Sequence, residues 1–128
     1  MKKKKYRYEW TGKTYFIDET DERFKRFVKI KEKTGISPDE TWSLYGNIAT
    51  FVLPRLKMFK EYTIGTPGCF RSQKAWFKVL DKMIWSFEQI VKEDESDYPT
   101  EGDEIKKYEK RISYGLTLFG KYFRCLWW

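Results

Sequence analysis

Residues 41–62, TWSLYGNIATFVLPRLKMFKEY, form the longest helix-patterned run of the chain. Its apolar residues recur every three or four positions, at Trp42, Tyr45, Ile48, Phe51 or Val52, Leu56 and Phe59. This spacing predicts a helix with one wide apolar face. We expect the other helical segments to pack against that face, so the run organises the predicted fold.

The run has a marked start, a marked end and one internal anomaly. Ser37, Pro38 and Glu40 match a capping box with proline at the first helical position. The glycines and prolines of residues 65–68 cannot continue a helix. Pro54 lacks the amide hydrogen that would bond to the carbonyl four residues earlier. A kink in a continuous helix and a break between two helices are both open, and we favour the kink.

The N-terminal third combines a predicted hairpin with a charged segment. Residues 4–17, KKYRYEWTGKTYFI, alternate aromatic and charged side chains on either side of a TGK turn, which predicts a β-hairpin. Residues 18–33 carry a short apolar stripe that favours a helix ending at Gly35. The alternation within residues 26–31, RFVKIK, leaves a third strand as the alternative.

The C-terminal half predicts two helices separated by an acidic loop. Residues 72–92 are a strongly amphipathic core helix that begins with a capping serine. Residues 93–104, EDESDYPTEGDE, hold seven acidic and no basic side chains and read as an exposed loop. Residues 105–128 form the last helix, with apolar residues every seven positions. Gly115 and Gly120 in this helix would permit the close approach of a neighbour.

These elements predict a mainly α protein, a compact bundle of three to four helices with an N-terminal β-hairpin (α+β). A chain of 128 residues is long enough for one hydrophobic core, so we expect a single domain over residues 1–128. It would comprise the hairpin (1–17), helices (18–92), the acidic loop (93–104) and the C-terminal helix (105–128).

Composition points to a cytoplasmic, non-membrane protein. The two cysteines, Cys69 and Cys125, form no CxxC pair, which favours a reducing compartment. The basic start, MKKKK, is followed by YRYEW and not by the apolar run of a signal peptide. No stretch approaches 18 consecutive apolar residues, so we expect no membrane span.

The chain lacks histidine, which removes the commonest general base and metal ligand. Two cysteines separated by 56 residues do not supply a zinc site, and the carboxylates cluster in the acidic loop, where nothing raises a pKa. We therefore expect a non-enzyme that carries no metal and no cofactor.

Binding of an anion is better supported than catalysis. Basic residues outnumber acidic ones by 26 to 19, a net charge of +7, and aromatic residues make up 20% of the chain. Guanidinium groups bind phosphates and aromatic rings stack on bases, so this combination suits a nucleotide or single-stranded nucleic acid. The basic candidates are Arg55, Lys57 and Lys60 after the internal proline, Arg111 among Lys106, Lys107 and Lys110, and Lys121 and Arg124 beside two aromatic residues.

A second group of candidates suggests a pocket. Ser43, Asn47 and Thr50 lie on one helical stripe that leads to the carbonyls freed by Pro54. Short polar groups on a mostly apolar helix suggest a concave site with hydrogen-bonding groups. Trp128 at the end of the chain completes the predicted ligand-binding set. The alternative is that the basic residues are a solvated face and the short polar residues are spacers between helices.

Three segments resemble a family of small, uncharacterised proteins of tailed bacteriophages and prophages. They are FVLPRLKMFKE (51–61), VLDKMIWSFEQI (79–90) and GLTLFGKYFRCLWW (115–128). The resemblance covers about residues 36–128 and carries no activity for any residue. It implies expression in the cytoplasm of an infected bacterium, where small phage proteins commonly modify or block host machinery, including antiviral defence.

Three functions follow as hypotheses. We favour the sequestration, without catalysis, of an anionic nucleotide-like ligand, with a host immune signalling nucleotide as one candidate. The alternatives are a nucleic-acid-binding protein and an inhibitor that covers a host defence protein through aromatic side chains. The salt dependence of the binding affinity distinguishes the three hypotheses, because contacts to many phosphates weaken steeply with ionic strength. The aromatic content also makes a homo-oligomer plausible.

Overall fold

The computed structural model describes residues 17–93 and 99–127, and this part of the chain is mainly helical, with no β-strand. Its α-helices are α1 (Phe24–Thr34), α2 (Leu44–Tyr62), α3 (Gln73–Val91) and α4 (Gly102–Lys121). Short 3-10 helices occupy Pro38–Thr41 and Phe123–Cys125. The prediction of a mainly α helical bundle is confirmed. The predicted β-hairpin lies outside the described residues, apart from its last residue, Ile17.

Two compact units make up the chain, Met1–Phe51 and Val52–Trp128, and the boundary falls within α2. The assignment of a single domain over residues 1–128 stays a prediction. Among the described residues, no helix is both long enough and apolar enough to cross a membrane.

In the first unit, residues 24–34 are helical, so the alternative of a strand at residues 26–31 is wrong. The helix buries Phe27, and the Arg23 guanidinium lies 5.8 Å from the centre of that ring and 5.3 Å from the Trp42 ring. Gly35 ends the helix as predicted, with φ of 81° and its N–H bonded to the Lys31 carbonyl. Glycine adopts this left-handed conformation without a steric penalty.

The predicted capping box is present, but it opens a different element. Ser37 and Glu40 cap the 3-10 helix, and α2 begins only at Leu44. Asp39 is the reason for the interruption. Its side chain is 3% exposed and accepts hydrogen bonds from the Ser37 hydroxyl and, at 2.8 Å, from the Ile17 N–H. The tight turn therefore serves to bury and satisfy this carboxylate.

Helix α2 runs through Pro54 without interruption, so the alternative of a break is wrong. The expected packing face is also wrong in part. Trp42, Tyr45, Ile48 and Phe51 remain exposed, whereas Ala49 and Leu56 are buried. The buried pair lies seven residues apart, on a stripe rotated away from the aromatic one. The aromatic periodicity indicated a helix correctly but did not identify the side that packs.

In the second unit, α3 forms as predicted. The Ser72 hydroxyl accepts a hydrogen bond from the Ala75 N–H at 3.1 Å, which caps the helix. The buried apolar side chains of this helix are Trp76, Leu80, Met83, Ile84 and Phe87. The core of the unit therefore consists largely of one face of α3.

Helix α4 packs on α3 through a glycine. A Cβ atom at Gly115 would lie 2.6 Å from the Lys82 carbonyl oxygen and would overlap the Ser86 hydroxyl. The predicted close approach is therefore confirmed at Gly115, but it is wrong at Gly120, which has no neighbouring atom within 4 Å of its Cβ position. The helix ends at Lys121 and not at residue 128.

An aromatic cluster accounts for the early end of α4. Tyr122 lies 5.0 Å from Phe70 and 6.0 Å from the buried Trp76, as measured between ring centres. Beyond it, Phe123–Cys125 turns as a 3-10 helix. The last turn thus bends to seat an aromatic ring beside the loop that precedes α3, a packing gain that helical periodicity does not predict.

The pKa of Asp39 yields the first test. Burial acts to raise this pKa, but the hydrogen bonds from Ser37 and Ile17 outweigh it and hold the pKa below its usual range. The ionised carboxylate therefore stabilises the fold above about pH 4, and that contribution is lost as the pH falls through the folded-state pKa. We expect Asp39→Asn to lower the free energy of unfolding by about 1–2 kcal/mol at pH 7. Urea denaturation from pH 3 to pH 7 measures this effect.

A control and a contrary result define that test. Glu32→Gln, an exposed change on α1, should leave the unfolding free energy within about 0.5 kcal/mol of the parent. The difference between Asp39→Asn and the parent should shrink as the pH falls. An equal difference at pH 3 and pH 7 contradicts the assignment of an ionised Asp39.

The two glycines of α4 form a matched pair for a second test. Gly115→Ala should destabilise the protein by about 1–3 kcal/mol, because the added methyl group forces α4 away from α3. Gly120→Ala should be neutral or stabilising by up to about 1 kcal/mol, because alanine favours the helix and meets open space. Chemical denaturation distinguishes them, and equal effects would disprove the close contact.

Candidate functional site

Cations and aromatic rings pair across one exposed side of α3 and α4. The Lys82 ammonium lies 5.4 Å from the centre of the Tyr114 ring. One turn along, the Arg111 guanidinium carbon lies 3.7 Å from the centre of the Trp85 ring. We call these four residues the cationic–aromatic ladder. Its two rungs join antiparallel helices, since the residue number rises on α3 as it falls on α4.

The Arg111 rung has a packed support. The Tyr108 ring meets the Trp85 ring edge-on at 5.5 Å, and its hydroxyl donates a hydrogen bond to the buried Gln89. The Ser86 hydroxyl donates to the Arg111 carbonyl at 3.3 Å. The α3–α4 contact therefore fixes both the Trp85 ring and the backbone of Arg111.

Three further lysines extend the positive charge along the same side. Lys78 precedes Lys82 by four residues, Lys107 precedes Arg111 by four, and Lys121 follows Tyr114 by seven, and all three are exposed. Such spacings place residues on one helical face. With the ladder, these flanking lysines supply five cations. Glu93 and Glu104 lie at the other end, near the α3–α4 connection, and bound the basic surface.

The basic cluster that the sequence placed at the start of α4 is divided between two sides of the helix. Lys106 and Lys110 line a shallow hollow on α4 together with Ile105, Glu109 and Ser113. Lys107 and Arg111 belong to the ladder side. Lys110 precedes Tyr114 by four residues and therefore borders the ladder, whereas Lys106 lies three, four or seven residues from none of the ladder residues. Lys106 has one charge on the same helix, which makes it the control for Arg111.

Two predicted ligand-binding lysines have partners on α3. The Lys57 ammonium lies 3.6 Å from a Glu88 carboxylate oxygen, and that of Lys60 lies 2.6 Å from Asp81. The Lys60 ammonium also lies 5.4 Å from the Phe77 ring centre. These ion pairs offset the charge of both lysines. Arg55, the third basic residue of this group, is exposed.

The predicted polar stripe serves the backbone of the first unit. The Asn47 side chain is buried and donates a hydrogen bond to the Glu40 carbonyl at 2.8 Å. The Thr50 hydroxyl donates to the Gly46 carbonyl, also at 2.8 Å. Ser43 is half-buried one turn before Asn47. The donors of Asn47 and Thr50 are therefore used internally.

The C-terminal candidates lie in the second unit. The Lys121 ammonium is 5.3 Å from the Tyr122 ring centre, and Arg124 is exposed. Trp128 lies outside the described residues. The predicted set is thus dispersed: the structure gives Arg111 and Lys121 a common helical face and assigns Lys57 and Lys60 to ion pairs.

A cavity of about 360 Å³ lies near the end of the described chain. It is lined by Gly65, Thr66, Pro67, Gly68, Cys125 and Trp127. The loop of residues 63–71 matches neither the P-loop pattern nor the GxGxxG pattern of nucleotide-binding proteins. The sequence therefore predicted no nucleotide site from this loop alone. Its lining is mainly apolar, and the structure places Cys69, the other free cysteine, in the adjoining loop as an exposed side chain.

Sequence reasoning assigned α3 to the core alone and therefore missed Lys82 and Trp85. It also missed Tyr114 on α4. A usable signal was present, since Lys74, Lys78 and Lys82 recur every four residues beside Trp85. In the described ranges, no group of three or more cysteine or carboxylate side chains could hold a metal ion.

Comparison with protein-family models, with curated proteins and with solved structures finds no match.

Proposed function

We propose that this protein binds an anionic, nucleotide-like ligand on the cationic–aromatic ladder and does not turn it over. The observation that carries the proposal is the position of the Arg111 guanidinium carbon, 3.7 Å from the centre of the Trp85 ring. A guanidinium held over an aromatic ring keeps N–H groups that can bind two phosphate oxygens at once. Lys82, on the neighbouring rung, adds a second cation.

Charge and support favour the same ligand class. The ladder and its flanking lysines concentrate five cations on one side of the helix pair, a field that attracts phosphates. The packing of Tyr108 and Gln89 behind Trp85 reduces the ordering cost of binding, because the ring already has its place. The four ladder side chains include no carboxylate and no thiol, and the proposal assigns binding only.

The resemblance to small proteins of tailed bacteriophages supplies the biological setting of this proposal. In that setting, the protein acts in a bacterial cytoplasm as a phage accessory protein. The ligand would be a host immune signalling nucleotide, and its retention would blunt an antiviral response. Exposed aromatic side chains outside the ladder, such as Phe123, also allow a homo-oligomer to present two ladders.

Charge-neutral substitutions test the proposed surface. Titration calorimetry with ATP and with a cyclic dinucleotide should detect binding to the parent protein. Arg111→Gln should weaken it about tenfold or more, because a charge-assisted hydrogen bond contributes about 1.5–3 kcal/mol. Arg111→Lys keeps the charge but loses the planar guanidinium, so its affinity should lie between those of the parent and of Arg111→Gln.

A substitution on the other side of α4 is the control. Lys106→Gln removes one charge from the same helix and should change the affinity less than about threefold. Mass spectrometry of the ligand after incubation should recover it unchanged. Equal losses in the control and in Arg111→Gln, or a converted ligand, would rule out the proposal as stated.

A second candidate, an inhibitor that covers a host protein, rests on apolar exposure. Ile64 is 82% exposed and Trp127 is 74% exposed, and Trp127 shares the 360 Å³ cavity with Gly65, the residue next to Ile64. Large exposed apolar side chains mark protein contacts. A complex of this kind, recovered from bacterial extract in 0.5 M salt, should be lost in Trp127→Ser and kept in Arg111→Gln.

A further inference from the structure

We propose that the ladder binds single-stranded nucleic acid, with successive phosphates along its lysines and with bases stacked on its exposed planar groups. This inference rests on the proposed function and names the ligand as a polymer. The features that point to it are the length of the basic row, the openness of the surface and the chemistry of its rungs.

The basic row is too long for one nucleotide. Lys107 and Lys121 lie 14 residues apart on or at the end of α4, which corresponds to about 21 Å of helix. One strand carries a phosphate about every 3.4 Å in duplex geometry, and less often when extended. The row therefore matches up to about six consecutive nucleotides. A mononucleotide would engage one rung and leave the other cations without a phosphate.

The rungs offer stacking surfaces that only unpaired bases can use. The Arg111 guanidinium carbon lies 3.7 Å from the Trp85 ring centre and the side chain is exposed, so the side of the guanidinium away from Trp85 is open to a base. Tyr114 is 51% exposed and is the neighbouring ring. Bases in a duplex are already stacked on one another, whereas a single strand can present its faces to such groups.

The charge pattern also limits where the strand lies. Glu93 and Glu104 stand at the end of the helix pair that leads into the α3–α4 connection, and like charges there repel phosphates. The strand therefore occupies the part of the surface from Lys107 towards Lys121. Stacking tolerates every base, and the ladder holds no amide side chain for reading base edges, so we expect little sequence preference.

Length dependence is the first experiment. Fluorescence anisotropy with labelled oligothymidylates of two, four, six and ten residues should show affinity rising to about six residues and then levelling off. In the parent, the logarithm of affinity should fall against the logarithm of salt concentration with a slope between about −2 and −3.5. Lys107→Gln with Arg111→Gln should reduce that slope by about 1.4, since each phosphate on a single strand contributes about 0.7.

Two controls separate charge from stacking. Lys106→Gln should leave the slope and the affinity at 0.15 M salt almost unchanged. Tyr114→Ser should weaken binding about threefold or more without altering the slope, because it removes a stacking ring and no charge. Tyr114→Phe keeps the ring and should bind like the parent. Thermal unfolding of each variant confirms that it is folded.

The outcomes distinguish the proposed nucleotide binding from the proposed binding of a single strand. Affinity that rises with strand length and falls in the ladder variants supports both. Equal affinity for a mononucleotide and for the six-residue strand overturns the polymer inference and leaves the proposed function standing. Equal binding of a ten-base-pair duplex and a single strand overturns the stacking role. If neither nucleotides nor strands bind, or if the loss of Lys106 weakens binding as much as the loss of Arg111, both proposals fail.

Discussion

The structure of the second unit depends on the close contact of Gly115 with Ser86. A glycine at this point lets α4 approach until its backbone nearly touches the Lys82 carbonyl. Such an approach fixes the register of two antiparallel helices, because only one pairing of positions places the gap opposite the serine. Lys82 then lies across from Tyr114, and Trp85 lies across from Arg111. The ladder is a consequence of this packing rather than an independent surface feature.

Helix α3 separates its charges along two edges, and the division gives the molecule an available cationic side. On one edge, Asp81 and Glu88 pair with Lys60 and Lys57 of α2, and these opposite charges offset one another. On the other edge, the Lys82 ammonium lies over the Tyr114 ring. Surface ion pairs contribute little to stability, so the arrangement matters chiefly for where the net charge remains.

Local signals in the sequence predicted helices well and predicted their packing poorly. The serine cap of α3, the glycine that ends α1 and the small residue at 115 each act over a few positions, so the sequence reveals them. The capping box at Ser37 was recognised, but the buried Asp39 beside it depends on Ile17, far along the chain. The prediction that α4 continues to residue 128 was wrong for the same reason, because Tyr122 contacts Phe70, which is distant in the sequence.

The candidate site illustrates the same limit through its side chains. Arg111 could be proposed from sequence, because a cluster of basic residues on one helix suits a phosphate. Its value as a binding group depends on Trp85, which is 26 positions away and looked like part of a core helix. Asn47 and Thr50 show the reverse. The sequence suggested that they line a pocket, but their side chains donate hydrogen bonds to nearby backbone carbonyls. A polar side chain becomes available for a ligand only when local hydrogen bonds leave it free, and tertiary contacts decide that.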